Sequence, residues 1–224
     1  MSDSPDAIET DGPRYIVVEG PIGVGKTSLA KRLAESFASD LILEQVAENP
    51  FLERFYRNRR NAALPTQLFF LFQRARQVEE IRQRDLFSPV RIADFLLEKD
   101  RLFAELNLDQ NEFQLYEQVY QSLNLDLPTP DLVIYLQAPP DVLLRRVASR
   151  GIPYEQKIDA QYLERLGEAY ARFFYEYDAA PLLIVNAAAI DPIRRDADYQ
   201  ELLSVICRIE RGRHFFNPAI ETIA

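Results

Sequence analysis

Short apolar runs alternate with amphipathic stretches along this chain. Tyr15–Glu19 (YIVVE) is rich in β-branched residues and ends at Gly20, which predicts a buried strand. Lys26–Phe37 has helical spacing, with Leu29, Ala30, Leu33 and Phe37 on one face. Leu41–Glu44 (LILE), Val90–Asp94 (VRIAD), Asp131–Leu136 (DLVIYL) and Leu182–Val185 (LLIV) predict further strands. Between them, helices are predicted over about Leu64–Arg84, Leu96–Glu105, Asn111–Leu125, Val142–Ser149, Ala160–Tyr177 and Tyr199–Arg211, with a break at Pro89. Short apolar strands separated by helices imply an α/β fold: a five-stranded parallel sheet with helices on both faces. Ligands on such sheets lie at the carboxyl ends of the strands. No repeat or internal linker interrupts residues 14–224, which read as one domain behind a polar, acidic leader at 1–13. That leader lacks the apolar core of a secretory signal.

Charge and composition narrow the function. The 224 residues carry 35 Asp and Glu against 26 Lys and Arg, a net charge of −9. Such a surface disfavours a nucleic-acid polymer as partner, while leaving room for one local basic pocket. No apolar run reaches the ~18–20 residues of a membrane span. Cys207 is the single cysteine and His214 the single histidine, so an intrachain disulfide is impossible and a histidine-based metal cluster is disfavoured. A cytoplasmic location is expected.

Gly20-Pro21-Ile22-Gly23-Val24-Gly25-Lys26-Thr27 fits G-x-x-x-x-G-K-[ST], with an apolar strand before it and an amphipathic helix after it. Backbone N–H groups must turn inward around phosphate oxygens, which only glycine permits at the tightest points. The helix N-terminus adds its dipole. Lys26 is then positioned for the β- and γ-phosphates and the Thr27 hydroxyl for Mg²⁺. Gly20, Gly23, Val24, Gly25, Lys26, Thr27 and Ser28 are the candidate ATP ligands. The chain has neither D-x-x-G after a strand nor N-K-x-D, which excludes a switch GTPase, and it has no transporter signature. Small-molecule kinases remain.

Two carboxylates, Glu44 and Asp94, end predicted strands. One acid would orient and deprotonate an acceptor hydroxyl, and a hard oxygen would serve the metal. Solvated residues at loop starts would give the same spacing. Gln67 and Arg74 lie seven residues apart on the longest helix, about 10 Å along one face. That face suits the edge of a flat polar ligand, or simply solvent. Phe70, one turn from Gln67, is a candidate for the pocket wall, while the run Phe69, Phe70 and Phe72 reads mostly as core.

From about Tyr15 to Asp178 the chain resembles the deoxynucleoside kinases, P-loop enzymes that phosphorylate the 5′-hydroxyl of deoxynucleosides. Glu44-Gln45-Val46 resembles the family's E-P-V, which implies that Glu44 is the base. Thr66-Gln67-Leu68-Phe69 resembles F-Q-x-Y, which implies that Gln67 reads the nucleobase with Arg74. Tyr56 is then the aromatic partner of the sugar 3′-hydroxyl and Glu155 a second one. Asp100 stands six residues after Asp94, where the family pairs an aspartate with the arginine. Leu136–Asp141 resembles L-Q-A-x-P-[ED], and Arg146 and Arg150, with Arg145 behind them, correspond to the arginines of a helical lid over ATP.

Two departures from the family pattern stand out, one in a motif and one in the lid. The arginine and serine of [DE]-R-S are Phe95 and Leu96, and Ile152 replaces a common lid arginine. Arg91, Lys99 and Arg101 are the nearby cations able to offset the loss. His214 reads as surface or packing, Cys207 as core, and Arg57, Arg59 and Arg60 as a solvated, flexible loop.

The resemblance thus implies an ATP- and Mg²⁺-dependent deoxynucleoside kinase, a homodimer, with Mg²⁺ held by Thr27 and Asp94. An Arg74–Asp100 pair suits a base with a mixed donor and acceptor edge, a purine or cytosine over thymine, with deoxyadenosine or deoxyguanosine the first expectation. A nucleoside monophosphate kinase such as a thymidylate kinase is the alternative within the reaction class. A non-catalytic nucleotide-binding subunit is the alternative outside it.

Overall fold

The computed structural model describes residues 15–84, 90–123, 125 and 129–218. The proposed leader at 1–13 and the break at Pro89 lie outside the described residues. The strands are β1 (Tyr15–Glu19), β2 (Asp40–Ile42), β3 (Arg91–Ala93), β4 (Leu132–Gln137), β5 (Leu182–Asn186) and β6 (Arg213–Phe216). They form one sheet in the order β2-β3-β1-β4-β5-β6, and every neighbouring pair is parallel. The helices are α1 (Lys26–Ser36), α2 (Leu52–Arg57), α3 (Arg59–Arg84), α4 (Lys99–Asn107), α5 (Gln110–Ser122), α6 (Pro140–Arg150), α7 (Ala160–Glu176) and α8 (Asp196–Ile206).

The central strands explain themselves. Ile16, Val17 and Val18 of β1 and Leu132, Val133 and Ile134 of β4 are all fully buried, so successive residues, which point to opposite faces, all find cover. β1 lies between β3 and β4, while the chain leaving it through α1 returns to β2, on the far side of β3. That reversal of winding opens a crevice at the carboxyl end of β1.

Two predicted element boundaries moved for identifiable reasons. α3 starts at Arg59, ahead of the predicted Leu64, and so encloses Pro65. Proline cannot donate to the carbonyl four residues back. That carbonyl, of Asn61, instead accepts from Arg54 Nη2 at 3.1 Å. The last helix ends at Ile206, short of the predicted Arg211. The chain then turns into β6, a strand that the sequence pattern did not predict, making six strands among the described residues where five were expected.

β6 (RHFF) has no alternation to betray it, because three of its four residues are exposed at the sheet edge. It is held by backbone pairing with β5 and by Arg213 Nη2, which donates to the carbonyls of Phe174 (2.9 Å), Tyr175 (3.0 Å) and Tyr177 (3.2 Å). His214 is exposed on this strand, as expected of a surface residue.

Cys207 is exposed, contrary to its expected place in the core, because the helix ends one residue before it. The aromatic run is also less buried than expected. Phe72 is 47% exposed, Phe69 is half-buried beside Phe51, and Phe70, also half-buried, lines a cavity. The predicted loop of arginines is helical. Arg57 closes α2, and Arg59 opens α3 with its guanidinium 3.9 Å above the Tyr162 ring.

Phe216 is the only residue of β6 that is buried, so Phe216→Ala should cost about 3 kcal/mol in urea unfolding. Phe215→Ala, at a side chain 72% exposed, should change stability by less than about 0.5 kcal/mol. Equal losses at the two positions would contradict the orientation of this strand.

Candidate active site

The loop after β1 needs glycine where the sequence has it. Gly20 has φ +149°, and a Cβ there would meet the Leu136 carbonyl oxygen at 2.5 Å. Gly23 has φ +82°, and a Cβ would sit 2.8 Å from Val147. Gly25 is left-handed, at φ 109°, and caps α1, which begins at Lys26. Val24 N–H donates to the Pro21 carbonyl at 3.2 Å and closes the turn. Lys26 Nζ donates to the carbonyls of Gly20 (2.7 Å) and Pro21 (3.3 Å), across the mouth of this loop. Burial and the nearby Lys99 charge lower the Lys26 pKa from its ordinary value.

Glu44 and Asp94 meet at the ends of neighbouring strands. Ile42 pairs with Ala93, so the residues just beyond them are adjacent. Asp94 N–H donates to the Ile42 carbonyl at 3.2 Å, and Glu44 N–H donates to Asp94 Oδ1 at 2.7 Å. Asp94 Oδ2 accepts from Thr27 Oγ1 at 2.5 Å. β2 ends at Ile42, so Glu44 stands two residues beyond the strand that was expected to include it.

A cavity of 220 Å³ lies over these carboxylates. Glu44, Gln67, Phe70 and Arg74 line it, as do Tyr56 and Glu155 on the other side. The Arg74 guanidinium bonds Glu44 Oε1 through Nη2 and Asp100 Oδ1 through Nη1. Asp100 itself is fully buried and stands behind Arg74, outside the cavity wall, where Tyr116 Oη also donates to it at 3.1 Å. Burial works to raise the Glu44 pKa, but the charges of Arg74, Lys99 and Lys26 outweigh it and bring the value down to about 2. Burial raises the pKa of Asp100 despite Arg74 and Tyr116.

A second cleft, of 570 Å³, opens on the other side of the loop. Gly23, Val24, Gly25, Lys26, Thr27 and Ser28 line one wall. Arg145, Arg146 and Arg150 of α6 and the segment 187–194 line the others. Arg146 donates to the carbonyls of Val24 (3.0 Å) and Ala187 (2.7 Å). Arg145 is 70% exposed and pairs with Asp141. Arg150 Nε donates to Glu155 Oε2 at 3.0 Å, so this pair brings a residue expected in the lid onto one expected at the sugar. Gly23, Lys26, Thr27 and Arg150 line both cavities.

The residues read from the sequence therefore converge, with Asp100 one layer deeper than expected. Sequence reading missed Glu19. It is the last residue of β1 and fully buried. It accepts from Gly20 N–H (2.8 Å), Leu96 N–H (2.8 Å) and Tyr170 Oη (2.9 Å), and Lys99 Nζ lies 3.2 Å away. An acid ending a strand buried on both faces, directly before the glycine of the loop, was the available signal. Of the three cations named as substitutes for the absent arginine, Lys99 alone lines the smaller cavity. Arg91 lies on β3, and Arg101 pairs with Glu117 at 2.8 Å with 49% of its side chain exposed.

A parallel sheet with a glycine loop after β1, a basic cleft on one side and an acid-bearing cavity on the other defines a nucleotide-dependent phosphotransferase. The comparisons narrow the class. Residues 16–209 match the model of the deoxynucleoside kinase family, and the chain belongs to that family of enzymes. It is 35% identical over 194 residues to the deoxyguanosine kinase of Bacillus subtilis, covering 84% of this chain and 93% of that one. It is also 29% identical over 168 residues to the probable thymidylate kinase 1 of Saccharolobus solfataricus, covering 74% and 85%. The structure of deoxyadenosine kinase from M. mycoides with bound dATP superposes with a TM-score of 0.74 at 25% identity, covering 85% of this chain and 98% of that one.

Because Arg74 is the ionic partner of a fully buried Asp100, Arg74→Met should destabilise the fold by about 3–5 kcal/mol in urea unfolding. Adding Asp100→Asn should recover part of that loss, since the fully buried Asp100 then carries no unpaired charge, while Glu44 keeps Lys99. Additive losses in the double variant would mean that the two side chains act independently.

Proposed function

We propose that this enzyme transfers the γ-phosphoryl group of ATP to the 5′-hydroxyl of a deoxynucleoside, with a purine base preferred. The observation that carries this reading is the shared wall of the two cavities: Gly23, Lys26, Thr27 and Arg150 face both. A triphosphate in the larger cleft would end where an acceptor in the smaller one begins. Holding the two in line can supply ~7–11 kcal/mol of the barrier. The amides of Gly20–Thr27 and the start of α1 would receive the phosphates, with Lys26 at the β- and γ-positions. Ser28, Arg146 and Arg150 would complete the ATP side, the two arginines countering the charge that develops on transfer.

On the acceptor side, Gln67 offers both an amide donor and an amide acceptor, and Arg74 adds a fixed fork of donors. That combination suits a purine edge, a preference supported by the likeness to proteins named deoxyguanosine and deoxyadenosine kinase. Phe70 would pack against the ring, and Tyr56 and Glu155 would hold the sugar 3′-hydroxyl. Asp100 fixes Arg74 from behind. Glu44 would accept the proton of the 5′-hydroxyl, and its low pKa keeps it ionised and ready at neutral pH.

Thr27 and Asp94 would hold Mg²⁺. Their side-chain oxygens lie together, and among the described residues no cluster of three His, Cys, Asp or Glu side chains competes with them. One hydroxyl and one carboxylate fit a metal that keeps several waters and takes its other ligands from phosphate. When bound, the ion would neutralise the phosphate charge and fix the γ-group. A homodimer is proposed as well, and Phe72 of α3 and Leu115 of α5, each 47% exposed, offer apolar surface for it. Sedimentation should give a particle of two chains. Among the described residues no helix is long and apolar enough to cross a membrane; a cytoplasmic location is part of the proposal.

A coupled assay with ATP across the four deoxynucleosides, their ribonucleosides and thymidylate tests the substrate. Turnover is expected with deoxyguanosine or deoxyadenosine. The likeness to a thymidylate kinase favours a second reading, and turnover confined to the monophosphate would select it. Glu44→Gln should lower kcat by about 10²-fold or more with ATP binding retained. Lys26→Ala should abolish transfer, and a fully active variant would remove the loop from the mechanism.

A further inference from the structure

Lys99 is the charged group that the proposed chemistry has not used. It opens α4, is only 2% exposed, and lines the acceptor-side cavity together with Lys26, Thr27, Glu44 and Asp94. Its Nζ lies 3.2 Å from Glu19 Oε2 and 3.5 Å from Glu44 Oε2. The other oxygen of Glu44, Oε1, is bonded by Arg74. Cations thus grip this carboxylate on both oxygens, while its backbone N–H is tied to Asp94. Glu19 needs Lys99 less, because it already accepts from Gly20, Leu96 and Tyr170.

The balance of charge points the same way. Glu19, Glu44, Asp94 and Asp100 face Lys26, Arg74 and Lys99 within one buried region, four negative groups against three positive. Arg74 is shared between Asp100 and Glu44. Deleting Lys99 would leave Glu44 with an arginine it shares with Asp100 and the charge of Lys26, at the point where a polyanion must approach. The neighbouring chain cannot replace it. Phe95 and Leu96, each 2% exposed, are apolar, and Arg101 is bonded to Glu117.

We propose that Lys99 is a positioning residue for phosphoryl transfer: it holds Glu44 Oε2 so that the free lone pairs of the carboxylate face the acceptor hydroxyl, and it supplies the cation that this chain lacks at Phe95. The inference rests on the reading of Glu44 as the base. An ammonium is a compact point charge, able to serve two carboxylates at once.

The test is kinetic, on the full chain with ATP, Mg²⁺ and the best deoxynucleoside. Lys99→Gln keeps a hydrogen-bond donor near Glu44 without the charge, and Lys99→Met keeps the stem alone. Both should lower kcat by about 10²-fold while KM for ATP changes less than threefold. Lys99→Arg should recover at least tenfold of that loss. In a Glu44→Gln background, Lys99→Gln should cost less than threefold more, because a residue acting through Glu44 has nothing left to position.

A folded Lys99→Gln or Lys99→Met enzyme within threefold of the wild-type kcat would overturn the proposal. So would full additivity of Lys99→Gln with Glu44→Gln, or an arginine variant as slow as the glutamine one. If neither neutral variant gives a cooperative melt, the residue is a folding requirement and the positioning role is refuted. Wild-type-like turnover in Glu44→Gln would instead sink the assignment of the base, and that result is separate from any of these.

Discussion

Charge neutralisation at the carboxyl end of the central strands is the constraint on which the site depends. Glu19 and Asp100 are fully buried, and Asp94 is nearly so. An uncompensated carboxylate in such a place costs several kcal/mol, and the group would protonate rather than remain charged. Lys99 and Arg74 answer that cost directly, each spanning two acids. The result for Glu44 is a carboxylate held ionised despite burial. The same pairs therefore neutralise buried charge in the fold and set the state of the carboxylate that lines the smaller cavity.

That network is possible because the sheet is parallel throughout. In a parallel sheet every strand delivers its last residue to the same edge, so Glu19, Asp94 and Glu44, from β1, β3 and the segment after β2, arrive as neighbours. The reversal of winding beside β1 keeps a helix from covering that edge. Helix α1 begins in the resulting gap and turns its N-terminus toward it. α3 forms the opposite wall with Gln67, Phe70 and Arg74, and its length is preserved across Pro65 because Arg54 takes up the carbonyl that the proline leaves without a donor.

Arg150 links the two halves of the cleft. It faces both cavities and is bonded to Glu155 just beyond α6, where Gly151 ends the helix in a left-handed conformation. An arginine bonded to a residue of the smaller cavity thus also reaches the larger cleft, so one side chain spans the two. Tyr56 and Tyr154, stacked with ring centroids 5.8 Å apart, close the same corner with apolar area.

Much of this was legible in the chain because its signals are local. A β-branched run, a glycine loop and an amphipathic helix follow one another within residues 15–37, and each is dictated by sterics over a few residues. The central strands were equally readable, since burial on both faces demands uninterrupted apolar sequence. β6 was not. Its register comes from the exposed backbone of β5 and from Arg213 reaching three carbonyls on the far side of the chain, and neither leaves a periodic trace. The choice of Lys99 over Arg91 and Arg101, and the step of Asp100 behind Arg74, were likewise settled only in three dimensions. A charged side chain carries the same letter whether it faces water or a buried acid, and only long-range packing decides which of the two surrounds it.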